Sequence, residues 1–340
     1  MSEFWSGIDV GKAKFEASWV EPGIRVEQFG KIPHRCFDRT LQGVRNYLEW
    51  LDRQAGGRPI QIRVVMEATG RYSLELIGWL LAARADLEPA LVHPKQARHF
   101  QQSLGLRNKT DAVDARSLGL MGQDRRPGGY RPLSAEYQAL RDLVRHRRSL
   151  IRMRVAEQNR LDEASDSKAV RRLLTSHLRS LDKLIGRVER DIRKTVAASD
   201  QLKRDVQLME TAPGVGWITA VTVLGELGDL RRYRRSRQIA AAAGLCPRNH
   251  QSGTLTRQAR IDRSGPAEAR AVLYMAAMAV CRNPDNRLAR TYHHLIEDHH
   301  LCKRAALVAV MRKLLVLLRA LVINGSPYQD DFVPSHQQAA

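Results

Sequence analysis

Three features of the sequence predict an α/β region followed by an α-helical one. Short apolar runs separated by turn residues crowd the first 93 positions. Two long stretches of helical spacing fill 137–159 and 170–196, and beyond 206 helices alternate with Gly- and Arg-rich breaks. The order read in the first part, β-β-β-α-β-α-β-α, predicts a mixed sheet with helices on its faces.

Trp5–Val10 reads as a strand closed by Gly11, and Ala13–Val20 as a second. Pro22-Gly23 signals a turn, and Ile24–Phe29 reads as a third strand. Leu41, Val44, Leu48 and Leu51 recur at helical spacing. Ile60–Met66 is a compact apolar strand, Ser73 caps a helix over 73–83, and Pro94 opens another after a short strand at 91–93. Thr110 caps a further helix running through Leu120.

The run Arg125–Pro132 (RRPGGYRP) breaks all periodicity and reads as a linker. Tyr137–Asn159 and Val170–Val196, joined by the short polar segment Asp162–Ser167, predict an antiparallel helical hairpin or coiled coil. After it, Pro213-Gly214-Val215-Gly216 precedes a helix at Trp217–Leu227. Such a turn brings backbone amides toward a phosphate in a helix-hairpin-helix. The stretch from Cys246 to Arg263 reads as irregular and Arg-rich, and two helices, Ala267–Cys281 and Leu301–Ile323, close the chain. The expected domains are therefore 1–125, 133–205 and 206–325, with a tail at 326–340.

Composition narrows the function. The 340 residues carry 56 Lys and Arg against 36 Asp and Glu, a net charge of +20. Residues 1–114 contribute +2 and the remainder +18, with 45 arginines to 11 lysines over the whole chain. Such a field calls for a polyanionic partner, and arginine pairs with phosphate in a two-pronged fork. The four cysteines are widely spaced with no C-x-x-C, which excludes a disulfide scaffold and a thiolate zinc site. The longest apolar run, Ala305 to Ile323, is interrupted by Arg312, Lys313 and Arg319. A cytoplasmic protein with no membrane partner is expected.

Two sets of residues carry chemistry. Asp9 lies inside an apolar strand (GIDVG), Glu67 ends a later one (VVMEATG), and Asp111 and Asp114 share one face of a helix. Singly, each reads as an ordinary strand-end or helix-start acid. If the first and fourth strands are neighbours, all four converge, and four carboxylates in one place call for a hard cation such as Mg²⁺. Arg107, Asn108 and Lys109 beside them are candidate phosphate contacts. In the second set, Ser252-Gly253 lies among Arg248, Arg257, Arg260 and Arg263. There a serine hydroxyl on a tight turn could meet a bound phosphate, although Ser-Gly alone is a commonplace loop pair and Ser264-Gly265 repeats it.

Over nearly its whole length the chain resembles the insertion-sequence transposases of family one hundred and ten, the recombinases guided by a bridge RNA. The match runs through GIDVGK, MEATG, KTDAVDA, the PGVG segment, AAAGLCPR with QSG, and CKRAALVAVMRKLL. The resemblance implies an RNase H-like (RuvC-like) first domain whose D-E-D-D acids, here Asp9, Glu67, Asp111 and Asp114, bind Mg²⁺. It also implies a mainly α-helical transposase domain with Ser252 as nucleophile, and a tetramer built as a dimer of dimers on the coiled coil. Target and donor DNA and a structured guide RNA would be the partners. Two other classes stay open on the residues themselves: a metal-dependent junction resolvase in which the serine is structural, and a non-catalytic nucleic-acid-binding protein. A small-molecule kinase of the actin-like type, which also begins with a GID-x-G strand, is excluded by the absence of a second phosphate-binding Asp-Gly strand.

Overall fold

The first strand, β1 (Ser2–Val10), is the middle of a five-stranded sheet and sorts its residues by parity. Phe4, Ile8 and Val10 enter one apolar cluster and Trp5 the other, the period of two that a strand covered on both faces requires. The computed structural model describes residues 2–58, 60–106, 110–164, 167–252 and 255–330, with the backbone alone described at 2, 60, 248–252 and 255–260. The chain divides into two compact units, 1–132 and 133–340.

In the N-terminal unit β2 (Lys14–Ser18) pairs antiparallel with β1, and β3 (His34–Asp38) antiparallel with β2. On the other side β4 (Ile60–Glu67) and β5 (Glu88–Val92) run parallel to β1, giving the order β3-β2-β1-β4-β5. This mixed sheet, with its hairpins first and its parallel strands after, is RNase H-like. Helices α1 (Leu41–Ala55) and α2 (Arg71–Ala83) cover one face over a core of Phe15, Phe37, Tyr47 and Trp50. The rings of Phe15 and Phe37 stack at 5.4 Å, and Tyr47 meets Phe15 edge-on at 5.6 Å. The opposite face receives α3 (Pro94–Ser103) and α4 (Asp111–Arg125).

One expected strand is absent. Over Ile24–Phe29 the chain instead leads into a short 3₁₀ turn, Val26–Lys31, and the third strand lies at 34–38. Side chains have taken the groups a strand would need for pairing. Gly23 N–H donates to Gln123 Oε1 (3.1 Å), Gln123 Nε2 donates to the Ile24 carbonyl (3.0 Å), and Arg25 N–H donates to Gln28 Oε1 (3.1 Å). Val26 is accordingly exposed, while Phe29 is buried beneath the turn.

In the C-terminal unit α5 (Ala135–Asp162) and α6 (Lys168–Ala197) form an antiparallel hairpin. The order of their ion pairs shows the direction: Arg147 with Glu189, Arg154 with Asp182, and His177 with Glu157. Residues of this hairpin share one core with α7 (Asp200–Glu210), α8 (Trp217–Leu227) and α9 (Ser236–Ala242). The stretch from Cys246 to Arg263, expected to be irregular, contains a two-stranded antiparallel hairpin, β6 (Pro247–Ser252) and β7 (Leu255–Ile261). Three helices follow: α10 (Ala267–Val280), α11 (Arg287–Glu297) and α12 (Lys303–Asn324), of which α11 was not expected. The spacing Val310, Leu314, Leu318, Leu321 buries one stripe of α12, and no described helix is long and apolar enough to cross a membrane.

Candidate active site

Parity decides where the strand acids point. Ile62, Val64 and Met66 of β4 belong to the α1–α2 core and Val65 to the α3–α4 core, so Glu67 falls on the α4 side. Asp9 shares the parity of Trp5 and Gly7 on β1. The parallel register joins Ile8 to Met66, which leaves Asp9 and Glu67 as the next residues on neighbouring strands. Two carboxylates thus stand at the same end of the sheet, on the same face.

Helix α4 brings the other two. It lies flush on β1 because small residues meet small residues. A Cβ at Gly7 would stand 2.1 Å from the Ala115 carbonyl oxygen, and one at Gly122 would stand 2.4 Å from the Trp5 ring. Ser18 Oγ fastens the contact, donating to the Ala115 carbonyl (2.8 Å) while it accepts from Gly7 N–H (3.1 Å). Thr110 caps the helix by accepting from Val113 N–H at 3.3 Å. Asp111 and Asp114 occupy the first turn, immediately before the flush segment.

Asp9 feels the other three acids. Burial pushes the Asp9 carboxyl up to about 6, and the charges of Asp114, Asp111 and Glu67 push in the same direction, against a hydrogen bond from the Val10 backbone. Such a donor set suits a hard divalent cation in chemistry, since all four are carboxylates and their charges oppose one another. Among the described residues no three His, Cys, Asp or Glu side chains stand close enough to enclose one ion. The arrangement is therefore an electrostatic cluster with the right donors and a looser spacing than a finished metal centre. Beside it opens a cleft of about 830 Å³ with Glu67 and Asp114 in its wall. Gln101, in the same wall, donates from Nε2 to Asp114 Oδ1 at 2.6 Å.

The remaining sequence candidates are placed less fully. Arg107, Asn108 and Lys109 lie outside the described residues. Ser252 is the last residue of β6, and the backbone register sets it opposite Leu255, His250 opposite Arg257 and Arg248 opposite Arg260. The side chains of Ser252, Arg248, Arg257 and Arg260 lie outside the description. Arg263 is exposed, follows β7, and has a left-handed backbone (φ 58°) whose N–H donates to the Gly244 carbonyl at 3.2 Å. The PGVG turn is a packed one: a Cβ at Gly214 would collide with Val280 at 2.6 Å and with the Ala276 carbonyl at 2.7 Å, and Ala212 and Val215 are buried. Sequence reasoning missed Gln101 and the close contact at Gly7. The small residues Ala115, Gly119 and Gly122, three and four apart on α4, were its available signal.

Comparison with known proteins falls on both units. The sequence model described as "Transposase IS116/IS110/IS902 family" matches residues 206–294, and one described as "Transposase", for the DEDD transposases of IS110, matches residues 6–168. The pilin gene-inverting protein of Moraxella bovis is 27% identical, over 96% of this chain and 98% of its own length. The transposase for insertion sequence element IS1111A of Coxiella burnetii is 33% identical over 35% of this chain and 32% of its own. Among solved structures, T. thermophilus RuvC in complex with a Holliday junction substrate aligns with 38% of this chain and 99% of its own, at 12% identity and a TM-score of 0.27.

Proposed function

Since this chain carries both domains of the IS116/IS110/IS902 family of transposases and so belongs to it, we propose that it cuts and rejoins DNA by metal-assisted strand exchange through a phosphoserine intermediate at Ser252. The observation that carries the reading is the convergence of Asp9, Glu67, Asp111 and Asp114 on one face of the sheet, where the last three each raise the cost of ionising Asp9. Those four residues would hold Mg²⁺. Bound there, the ion would supply charge stabilisation to the phosphate in flight and a means of activating the attacking oxygen.

Ser252 Oγ would form a bond to phosphorus as it loses its proton, and the leaving deoxyribose oxygen would gain one. A hydroxyl of a second DNA strand would then attack the phosphoserine, releasing the serine and restoring a phosphodiester without nucleotide hydrolysis. The family resemblance supports a structured guide RNA choosing the sites by base pairing, and acids of one protomer acting with the serine of another in a tetramer. The domain limits 1–125, 133–205 and 206–325 belong to the same reading. Inversion of a DNA segment, named in the Moraxella relative, and insertion of a mobile element are the same exchange with different ends joined.

Trapping the protein–DNA adduct tests the proposal. Denatured reaction mixtures of the unaltered chain should contain a covalent adduct that maps to Ser252 and disappears in Ser252→Ala. Recombination at the normal rate by Ser252→Ala would move the chain to the resolvase class, where the acids cut alone.

A further inference from the structure

The cleft beside the acids is also lined by residues that the reading above leaves unused. Helix α3 contributes Lys95, Arg98 and Gln102 to it, at positions i, i+3 and i+7, which is one face of a helix. All three are exposed, and α3 carries no acidic residue. Among the described residues no carboxylate lies within ion-pair distance of Lys95 or Arg98, although Glu67 and Asp114 share the same cleft. Cations that served to neutralise the acids would be paired with them. These line the same cleft and pair with neither Glu67 nor Asp114.

We propose that α3 is a phosphate guide: Lys95 and Arg98 bind successive phosphates of the single DNA strand that is presented to Asp9, Glu67, Asp111 and Asp114. The inference rests on the strand-exchange reading and adds the path the strand takes. From Lys95 to Gln102 the helix face runs about 10 Å, at 1.5 Å per residue. A strand that keeps the stacking of the duplex, with an axial rise of roughly 3.4 Å per phosphate, would place about three phosphates along it. The same helix holds Asp114 through Gln101 at 2.6 Å, so one rigid element would set both the track of the backbone and the position of an acid. His93 fits this role at the helix start: its Nδ1 accepts from Lys95 N–H at 3.1 Å, which in the neutral ring leaves Nε2–H as a donor in the cleft.

The test is binding of a fluorescein-labelled single-stranded DNA oligonucleotide by the full chain, followed by anisotropy across a salt series without Mg²⁺. Each lost phosphate contact on a single strand removes about 0.7 from the slope of log K against log salt. Lys95→Ala/Arg98→Ala should lower the slope by about 1.4 and leave the melting temperature unchanged. A control pair on α1, Arg45→Ala/Arg53→Ala, should leave the slope nearly as it was, and Lys95→Arg/Arg98→Lys should restore it. An unchanged slope in the α3 variant overturns the guide, as does an equal fall in the control pair. If the α3 variant unfolds, Lys95→Gln/Arg98→Gln makes the same measurement. Absence of any cleavage by the unaltered chain, with the slope change intact, would count against strand exchange while leaving the phosphate site standing.

Discussion

The two units differ in what they set beside carboxylates drawn in from solvent. In the C-terminal unit the buried acids Glu157, Asp205 and Glu226 each meet a cation. Arg231 grips Asp205 with two bonds of 2.7 Å, and the pairing holds its guanidinium above the usual arginine range. Arg145 does the same for Glu226 with two bonds of 2.8 Å. In the N-terminal unit Asp9 meets three further acids instead. A fold that only needed to tolerate a half-buried carboxylate such as Asp9 would supply a partner, as the C-terminal unit does for its buried ones. The contrast separates acids that hold structure from acids that have been left to hold something else. It also shows where part of the arginine excess goes: some of it closes internal pairs.

The contrast can be broken by substitution, and the largest effect should fall on chemistry. Asp9→Ala or Asp114→Ala should each lower Mg²⁺-dependent strand cleavage by several kcal/mol of transition-state stabilisation, more than a hundredfold, in a single-turnover assay. Cleavage at the unaltered rate in both would remove the metal site from the account. Next in size, Arg231→Met strands the Asp205 carboxylate. It should cost about 2–3 kcal/mol in urea unfolding, below the full cost of breaking a buried pair because the guanidinium is 36% exposed. Gly7→Ala forces α4 off β1 and should cost about 1–3 kcal/mol. It should also depress cleavage beyond what the lost stability explains, since the helix carries two of the acids.

The smallest effect is a pH dependence. Asp9 holds its proton up to about pH 6 in the folded chain and releases it from the ordinary 3.8 when unfolded. Between those values the folded state binds more protons, so stability falls as pH rises through this window and is level above it. Melting followed from pH 4 to 7 in the presence of EDTA should show the decline, and Asp9→Asn should flatten it. A melting temperature that rises over the same window in the unaltered chain, and is insensitive to that substitution, would contradict the cluster. Added Mg²⁺ should raise the melting temperature above pH 6 and do little at pH 4.5, where the proton competes.

The sequence carried the order of elements around the acids because that order is written in apolar periodicity. Asp9 inside GIDVG and Glu67 at the end of VVMEATG read as strand residues and KTDAVDA as helical, while the adjacency of the two strands is a condition that the parallel register meets. It failed where side chains reach across long separations. Gln123 takes the backbone groups of Gly23 and Ile24 from a hundred residues away, and nothing near Ile24 announces it. The β6–β7 hairpin was missed because RNHQSGTLTRQAR lacks apolar alternation, so its pairing shows only in the backbone register. Helix α11 buries just Leu288 and Ala289 at its start, which leaves a polar sequence with little stripe to read. The grip of Gln101 on Asp114 was likewise hidden, since a glutamine thirteen positions away is silent in any local pattern.

The close fit at Gly7 has a mechanical consequence. With a carbonyl and an amide of α4 seated where a Cβ would be, any roll of the helix would drive bulkier residues such as Leu118 into the strand. Travel along its own axis would break the hydrogen bond from Ser18 Oγ to the Ala115 carbonyl. The first turn of α4, which carries Asp111 and Asp114, is thereby held at one height against the strand ends that carry Asp9 and Glu67, as a shelf is set by its bracket.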